Sequence, residues 1–168
     1  METFARIYET YFSRVYNFLF RMCNNEDLAE ELTQETFFRA FRSFHRFRGD
    51  SELFTWLASI AKYTFFSYIR KHKKESDCIN FNALIATMTQ EDTDPENMIC
   101  RNVMNDAVRQ LIYKMPQKYS DVVTLRIYAE LPFSEIADAL QISESSAKVL
   151  FFRAKKMLLE ELKNEHLM

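Results

Sequence analysis

The chain has 168 residues, 48% hydrophobic and 15% aromatic with sixteen Phe and eight Tyr, which excludes a disordered protein and leaves room for one domain or two small ones. A single Gly and three Pro leave few of the tight turns that sheets and hairpins need, so an all-α fold is expected. The formal net charge of −2 excludes a uniformly basic surface and puts the weight on where charge sits along the chain.

From Phe4, apolar residues recur at Ile7, Tyr11, Val15, Phe18 or Leu19 and Met22, a spacing of three or four that predicts a first amphipathic helix. The stretch Met1 to Tyr11 carries Glu2, Arg6 and Glu9 and lacks the apolar centre of a signal peptide. A second helix is predicted from about Asp27 to Phe44, with Leu28, Leu32, Phe37, Phe41 and Phe44 inward. Its first turns gather Glu26, Asp27, Glu30, Glu31 and Glu35, where negative charge suits the helix dipole. The segment Arg46 to Ser51 holds the single glycine, Gly49, and either Asp50 or Ser51 can cap a third helix. The inner face of that helix reads Phe54, Leu57, Ala61, Phe65 and Tyr68 or Ile69. Charge reverses along this stretch: Arg39, Arg42, Arg46, Arg48, Lys62, Arg70, Lys71, Lys73 and Lys74 are opposed only by Asp50 and Glu52.

From Glu75 to Glu96 every charge is negative and amphipathic periodicity is lost, which reads as a linker over residues 76–94 between a domain at 1–75 and another at 95–168. Asp94 followed by Pro95 is a helix start, because Asp accepts from free amides and Pro at the first position loses no hydrogen bond. Ile99, Val103, Ala107, Leu111 and Met115 continue one face until Pro116, which breaks that helix and opens another through Val122, Val123, Leu125 and Ile127. The second domain is thus expected to be four helices, closing on a helix pair from Phe133 to Lys156.

In that pair, Ile136, Ala137 and Leu140 face inward, Gln141, Ile142 and Ser143 make the turn, and Ser143 can cap the last helix. Ala147, Leu150, Phe151, Ala154 and Leu158 form its buried stripe. The opposite face offers Ser146, Lys148, Val149, Phe152, Arg153 and Lys156, basic at the ends and apolar between. That arrangement suits phosphates flanking a groove and contact with base edges or thymine methyls, as in a DNA-binding helix-turn-helix. The alternative is an ordinary solvated helix pair, against which Phe152 on the polar face stands out.

Catalytic signals are missing from the sequence. His45, His72 and His166 have no ligand spacing, and no nucleophile motif or phosphate-binding glycine loop occurs, so neither an enzyme nor a cofactor is expected. Cys23, Cys78 and Cys100 are odd in number and widely spaced, which indicates neither disulfides nor zinc but buried or idle thiols in a reducing, cytoplasmic setting. No apolar run approaches the ~20 residues of a membrane span, so the chain is not expected to be an integral membrane protein.

The run MPQKYSDVVTLRIYAELPFSEIADALQISESSAKVLFFRAKKMLLEEL resembles the promoter-reading C-terminal domain of extracytoplasmic-function sigma factors. Separately, LAEELTQETFFRAFRSFHRFRGDSELFTWLASIAKYTFFSYIRKHKK resembles the N-terminal domain of the same family, in the same order and across a similar acidic linker. The resemblance implies a dissociable subunit that binds core RNA polymerase, places it at a promoter and holds the DNA open. It implies a polymerase contact on Glu30, Leu32, Gln34, Glu35 and Phe38, where carboxylates and an amide beside apolar anchors suit a basic coiled surface. It implies capture of a base flipped from the minus-ten strand by Arg46, Phe47, Arg48, Gly49, Asp50 and Ser51, with Arg70, Lys71, Lys73 and Lys74 on the backbone. Reading of the minus-35 element falls on the exposed face of the last helix, and an anti-sigma factor is an implied further partner.

Two departures from the family pattern, at three positions, stand out. Tyr63 stands where many members have Asn in a run that touches the melted strand, and stacking could replace hydrogen bonding there. Val149 and Leu150 replace a commonly polar and basic pair, which implies fewer phosphate contacts and a promoter sequence not shared with better-known members. The nineteen residues from 76 to 94 could extend to about 60 Å. Two turns of DNA measure roughly 70 Å, so with the domains' own dimensions both could sit on one promoter. The competing readings are a stand-alone helix-turn-helix regulator on a palindromic operator, which employs only the C-terminal third, and a helical signalling adaptor.

Overall fold

A computed structural model describes residues 3–75 and 107–164, without the side chains of residues 73–75. The expected linker and the Asp94–Pro95 helix start lie outside the described residues. All regular structure among the described residues is helical. In the first half α1 spans Phe4–Cys23, α2 spans Glu26–Ser43, a short 3-10 turn follows at Phe44–Arg46, and α3 spans Leu53–Glu75. In the second half α4 covers residues 107–114, α5 spans Gln117–Val123 and runs into a π turn at Thr124–Tyr128, α6 spans Phe133–Leu140 and α7 spans Glu144–Asn164.

The helix boundaries follow from local chemistry. Asn24 ends α1 in the left-handed region, where Asn is tolerated, and its amide donates to Phe20 O at 2.7 Å. Asn25 then caps α2, its side chain accepting from the Leu28 amide at 3.1 Å. Pro116 stands at the N-cap of α5 and Pro132 at that of α6, positions where the missing N–H forfeits nothing. The expected inner faces of α1 and α3 are realised, with Ile7, Val15, Phe18, Leu19, Phe54, Leu57, Ala61 and Phe65 all buried.

Three expectations are corrected. Phe41 faces outward, 63% exposed, because the small Ala40 takes the inward position between α2 and its neighbours; the Phe41 ring instead meets Phe4 edge-on at 5.2 Å. Neither Asp50 nor Ser51 caps α3. The Glu52 amide and the Thr55 hydroxyl at the start of that helix donate to the Glu135 carboxylate, at 3.4 and 2.9 Å, from the other half of the chain. Ile127 also turns outward, since the π turn inserts an i→i+5 bond, Ala129 N to Thr124 O at 3.3 Å, and shifts the face that Val122, Val123 and Leu125 present to the core.

The two halves are packed against each other. One continuous core joins residues of α1, α2 and α3 to Val122, Leu125, Ala129, Leu131, Ile136 and Ala147 of the second half. A smaller cluster within the second half unites Leu111, Ile112, Val123, Ala154, Leu158 and Leu162. The helix-turn-helix therefore rests on a floor to which both halves contribute.

Candidate nucleic-acid interface

The turn between α6 and α7 is built without glycine. Gln141 adopts φ 56°, its amide donates to Asp138 O at 3.4 Å, and the Ile142 amide donates to Ala137 O at 3.0 Å, the paired bonds of a Schellman motif. Ser143 Oγ then accepts from the Ser146 amide at 3.0 Å and caps α7, a contact worth about 1 kcal/mol. Ala147, Ala154, Leu158 and Leu162 are buried, Leu150 and Phe151 are half-buried, and the Phe151 ring meets Phe133 of α6 edge-on at 5.6 Å. Arg126 fixes the entry to α6, its guanidinium 4.3 Å from the Phe133 ring centroid and donating to Leu131 O at 3.0 Å.

With that stripe turned inward, Ser146, Lys148, Val149, Phe152, Arg153 and Lys156 all emerge on the exposed side. Val149, Phe152, Arg153 and Lys156 are spaced three and four apart and share one face. Phe152 is 67% exposed and Val149 46%, an apolar centre in water with cations beyond it. Lys148 lies 3.5 Å from Glu144 one turn earlier, an exposed pair that holds little energy and leaves the lysine free to exchange partners.

In the first half, Glu30, Gln34, Glu35 and Phe38 are exposed along α2. Leu32 is buried, which corrects the expectation that it belongs to a docking surface: at 3% exposure it anchors the helix from beneath. Glu35 pairs with Arg39 at 2.8 Å, and the Arg39 guanidinium lies 5.6 Å from the ring of Tyr63, itself 59% exposed. Phe38 is 56% exposed with Arg42 over its ring at 5.8 Å. The acidic stretch of α2 thus grades into an open aromatic strip of Phe38 and Phe41.

The loop 46–51 has an aromatic floor. Phe47 is half-buried, with its ring 5.1 Å from Trp56 and 6.3 Å from Phe44, so it holds the loop against α3. Arg46, Arg48, Gly49 and Asp50 are exposed above it and Ser51 partly so. Gly49 has φ +77° with no atom within 4 Å of where a Cβ would stand, so its need for glycine comes from the backbone alone. Tyr63, Arg70 and Lys71 are exposed along α3, while the side chains of Lys73 and Lys74 lie outside the described ones.

Comparison with known proteins decides the family. Residues 7–75 match the model of Sigma-70 region 2, and residues 105–158 match that of Sigma-70, region 4. Two relatives come from Bacillus subtilis. RNA polymerase sigma factor YlaC is 33% identical over 89% of this chain and 86% of its own. ECF RNA polymerase sigma factor SigM is 32% identical over 93% of each chain. The chain is an extracytoplasmic-function sigma factor of the sigma-70 family.

The fold agrees. The sigma factor RpoE of Bartonella quintana, solved with the anti-sigma factor NepR, superposes at a TM-score of 0.59 and 19% identity over 95% of this chain and 96% of that one. CnrH, solved with the cytosolic domain of CnrY, superposes at 0.57 and 14% identity over 96% of this chain and 88% of that one. The protein is therefore an alternative sigma factor that directs RNA polymerase in transcription initiation, a class of initiation factors that are not enzymes in themselves. A stand-alone regulator has no support, since both halves match the family in order.

Several residues of this sigma factor escaped sequence reasoning. Phe41 was hidden by a spacing that fits the core, and Arg126 and Trp56 have no local signal for their roles beneath the helix-turn-helix and the loop. Lys62 sits in a basic run yet is buried, 2.9 Å from Asp121 of α5. Cys23 is buried, and burial pushes its thiol up to about 11 while Sγ donates to Asn25 O at 3.4 Å; this agrees with an idle thiol. Cys78 and Cys100 lie outside the described residues. No helix among the described residues is long and apolar enough to cross a membrane, and no group of His, Cys, Asp or Glu there could hold a metal ion.

Proposed function

We propose that this sigma factor engages polymerase and promoter through three separate surfaces, carried by domains at residues 1–75 and 95–168 with 76–94 as the linker. Glu30, Gln34, Glu35 and Phe38 of α2, extended by Phe41, dock on core RNA polymerase: an acidic rim beside exposed aromatic anchors fits a basic partner with apolar holes. Arg46, Phe47, Arg48, Gly49, Asp50 and Ser51 receive the flipped minus-ten base on the Phe47 floor. Tyr63 stacks on the opened strand, and Arg70, Lys71, Lys73 and Lys74 hold its phosphates. Ser146, Lys148, Val149, Phe152, Arg153 and Lys156 read the minus-35 element.

The observation that carries this reading is Phe152, 67% exposed on a serine-capped helix with Val149 beside it and Arg153 and Lys156 on the same face. A large apolar side chain held in water on a basic face fits thymine methyls in a major groove, with the cations reaching the flanking phosphates. The chain performs no chemistry of its own and works in the cytoplasm, with core polymerase and promoter DNA as partners. Because the superposable sigma factor RpoE was solved with the anti-sigma factor NepR, we infer an anti-sigma factor as a further partner. The test is transcription of fragmented genomic DNA by core polymerase with and without the protein. Protein-dependent transcripts that share upstream motifs at two-turn spacing are expected; an unchanged transcript set would sink the reading.

A further inference from the structure

The side chain of Arg39 bridges α2 and α3, which pack side by side. Its Nε donates to Glu35 Oε1 at 2.8 Å, one turn back on α2, and its guanidinium lies over the ring of Tyr63 on α3, 5.6 Å from the centroid. Glu35 holds only Nε, so among the described residues both terminal nitrogens of the guanidinium fork are left without a partner. Tyr63 is 59% exposed, and no other cation or ring among the described residues meets it, which leaves one face of the ring open.

The ring stands at the head of a row along α3. Tyr63, Ser67 and Arg70 are spaced four and three apart, and Arg70 Nη2 donates to Ser67 Oγ at 3.5 Å. Seven residues of helix carry Arg70 about 10 Å beyond Tyr63. An aromatic face thus lies between two cations, Arg39 and Arg70, the combination that binds a single strand by stacking and by phosphate contact. An exposed tyrosine turns about two side-chain bonds, and a ring that turns presents no fixed surface to a base. A cation over one face restrains it; at an exposed site such a contact shifts a rotamer equilibrium by about two- to fivefold. Glu35 restrains Arg39 in turn, so the contacts from Glu35 through Arg39 hold the ring with its open face to solvent.

We propose that Arg39 is a positioning residue for the minus-ten strand: it sets the Tyr63 ring so that one base of the opened strand stacks on the open face. This rests on the placement of Tyr63 at that strand given above. The consequence for specificity is that this base is recognised by its face and not by its edge. Every base has such a face, so the position tolerates any identity but not a missing base. An ordinary i,i+4 ion pair on a solvated helix would have no effect at the strand.

The test uses holoenzyme formed from core polymerase and the full chain. The probe is a single-stranded oligonucleotide of the non-template minus-ten strand, from a promoter located by transcript mapping, with 2-aminopurine placed at each position in turn. Stacking on tyrosine quenches 2-aminopurine, so the wild type should quench one position that Tyr63→Ala does not. At saturating protein, Arg39→Gln should lose about half of that quench and bind about threefold more weakly, and Arg39→Lys should recover most of both. The four natural bases at that position should bind within about threefold of one another, and an abasic site about tenfold more weakly. A full quench in Arg39→Gln, no recovery in Arg39→Lys, or discrimination among the bases larger than the abasic loss overturns the positioning role. Thermal unfolding identifies a variant that fails to fold; if Arg39→Gln does, Arg39→Met, which keeps the stem without the charge, takes its place. If no position is quenched through Tyr63, the placement of Tyr63 fails and the proposal with it; if Tyr63→Ala abolishes the quench and Arg39→Gln keeps it, only the positioning role fails.

Discussion

The two regions proposed to face DNA are presented in opposite ways. Helix α7, the proposed reading helix, keeps one whole face in water, with Val149, Phe152, Arg153 and Lys156 exposed above the buried Ala147, Ala154, Leu158 and Leu162. Helix α3 offers the solvent only one side, Tyr63, Arg70 and Lys71, while Thr55 and Lys62 on its other side are tied to the second half. The difference teaches that exposure follows the neighbours a helix packs against as much as its own sequence. A basic run on a helix is a DNA surface only on the side that no neighbour claims.

Changes beneath and on these regions sharpen the contrast. The largest effect is expected from Ile136→Ala, which empties a fully buried position where α6 meets the shared core. It should cost about 2–5 kcal/mol in denaturant unfolding and reduce promoter use with it. Phe152→Ala should behave oppositely, leaving stability within about 0.5 kcal/mol while altering which upstream sequences are transcribed. If Phe152→Ala lowers stability as Ile136→Ala does, its face is a packing surface and the contrast fails. Gly49→Ala should cost about 1 kcal/mol from the positive φ alone, and impair promoter opening, followed by permanganate reactivity of unpaired thymines, more than polymerase binding. Equal loss of both would remove the loop from the minus-ten site.

How much of this was legible in the sequence can be seen residue by residue. The four helices around the turn at Gln141 to Ser143, and the cap by Ser143, follow from apolar spacing, two prolines and a serine, all of them local signals. What failed was non-local. Phe41 satisfies the helical period of α2, but the core accepted Ala40 in its place. Leu32 carries the family's docking pattern in sequence, yet the spacing that also marks it as inward prevailed. The cap of α3 came from Glu135, eighty-three residues beyond Glu52, where no reading of the loop itself could find it. Lys62 is indistinguishable from its basic neighbours until Asp121 is brought opposite it.

The smallest expected effect separates an idle group from the working surfaces. Because burial holds the Cys23 thiol near 11, against 9.0 when free, it stays protonated in the folded chain at pH 8 and should react with Ellman's reagent only on unfolding. The linkage has one sign: the folded thiol binds its proton more tightly, so its contribution to stability is full below pH 9 and lost as pH rises toward 11. In a chain with Cys78 and Cys100 replaced by Ser, rapid labelling of the native protein would show that the α1 end of the core is open.

The central claim is that one polymerase-bound chain reads two promoter elements with two separate surfaces. Footprinting of the polymerase complex on a promoter found by transcript mapping tests it most directly. The expected result is protection at two patches about two helical turns apart, roughly 70 Å, with Arg153→Ala weakening the upstream patch and sparing the downstream one. A single patch, or equal loss of both in Arg153→Ala, would contradict the account.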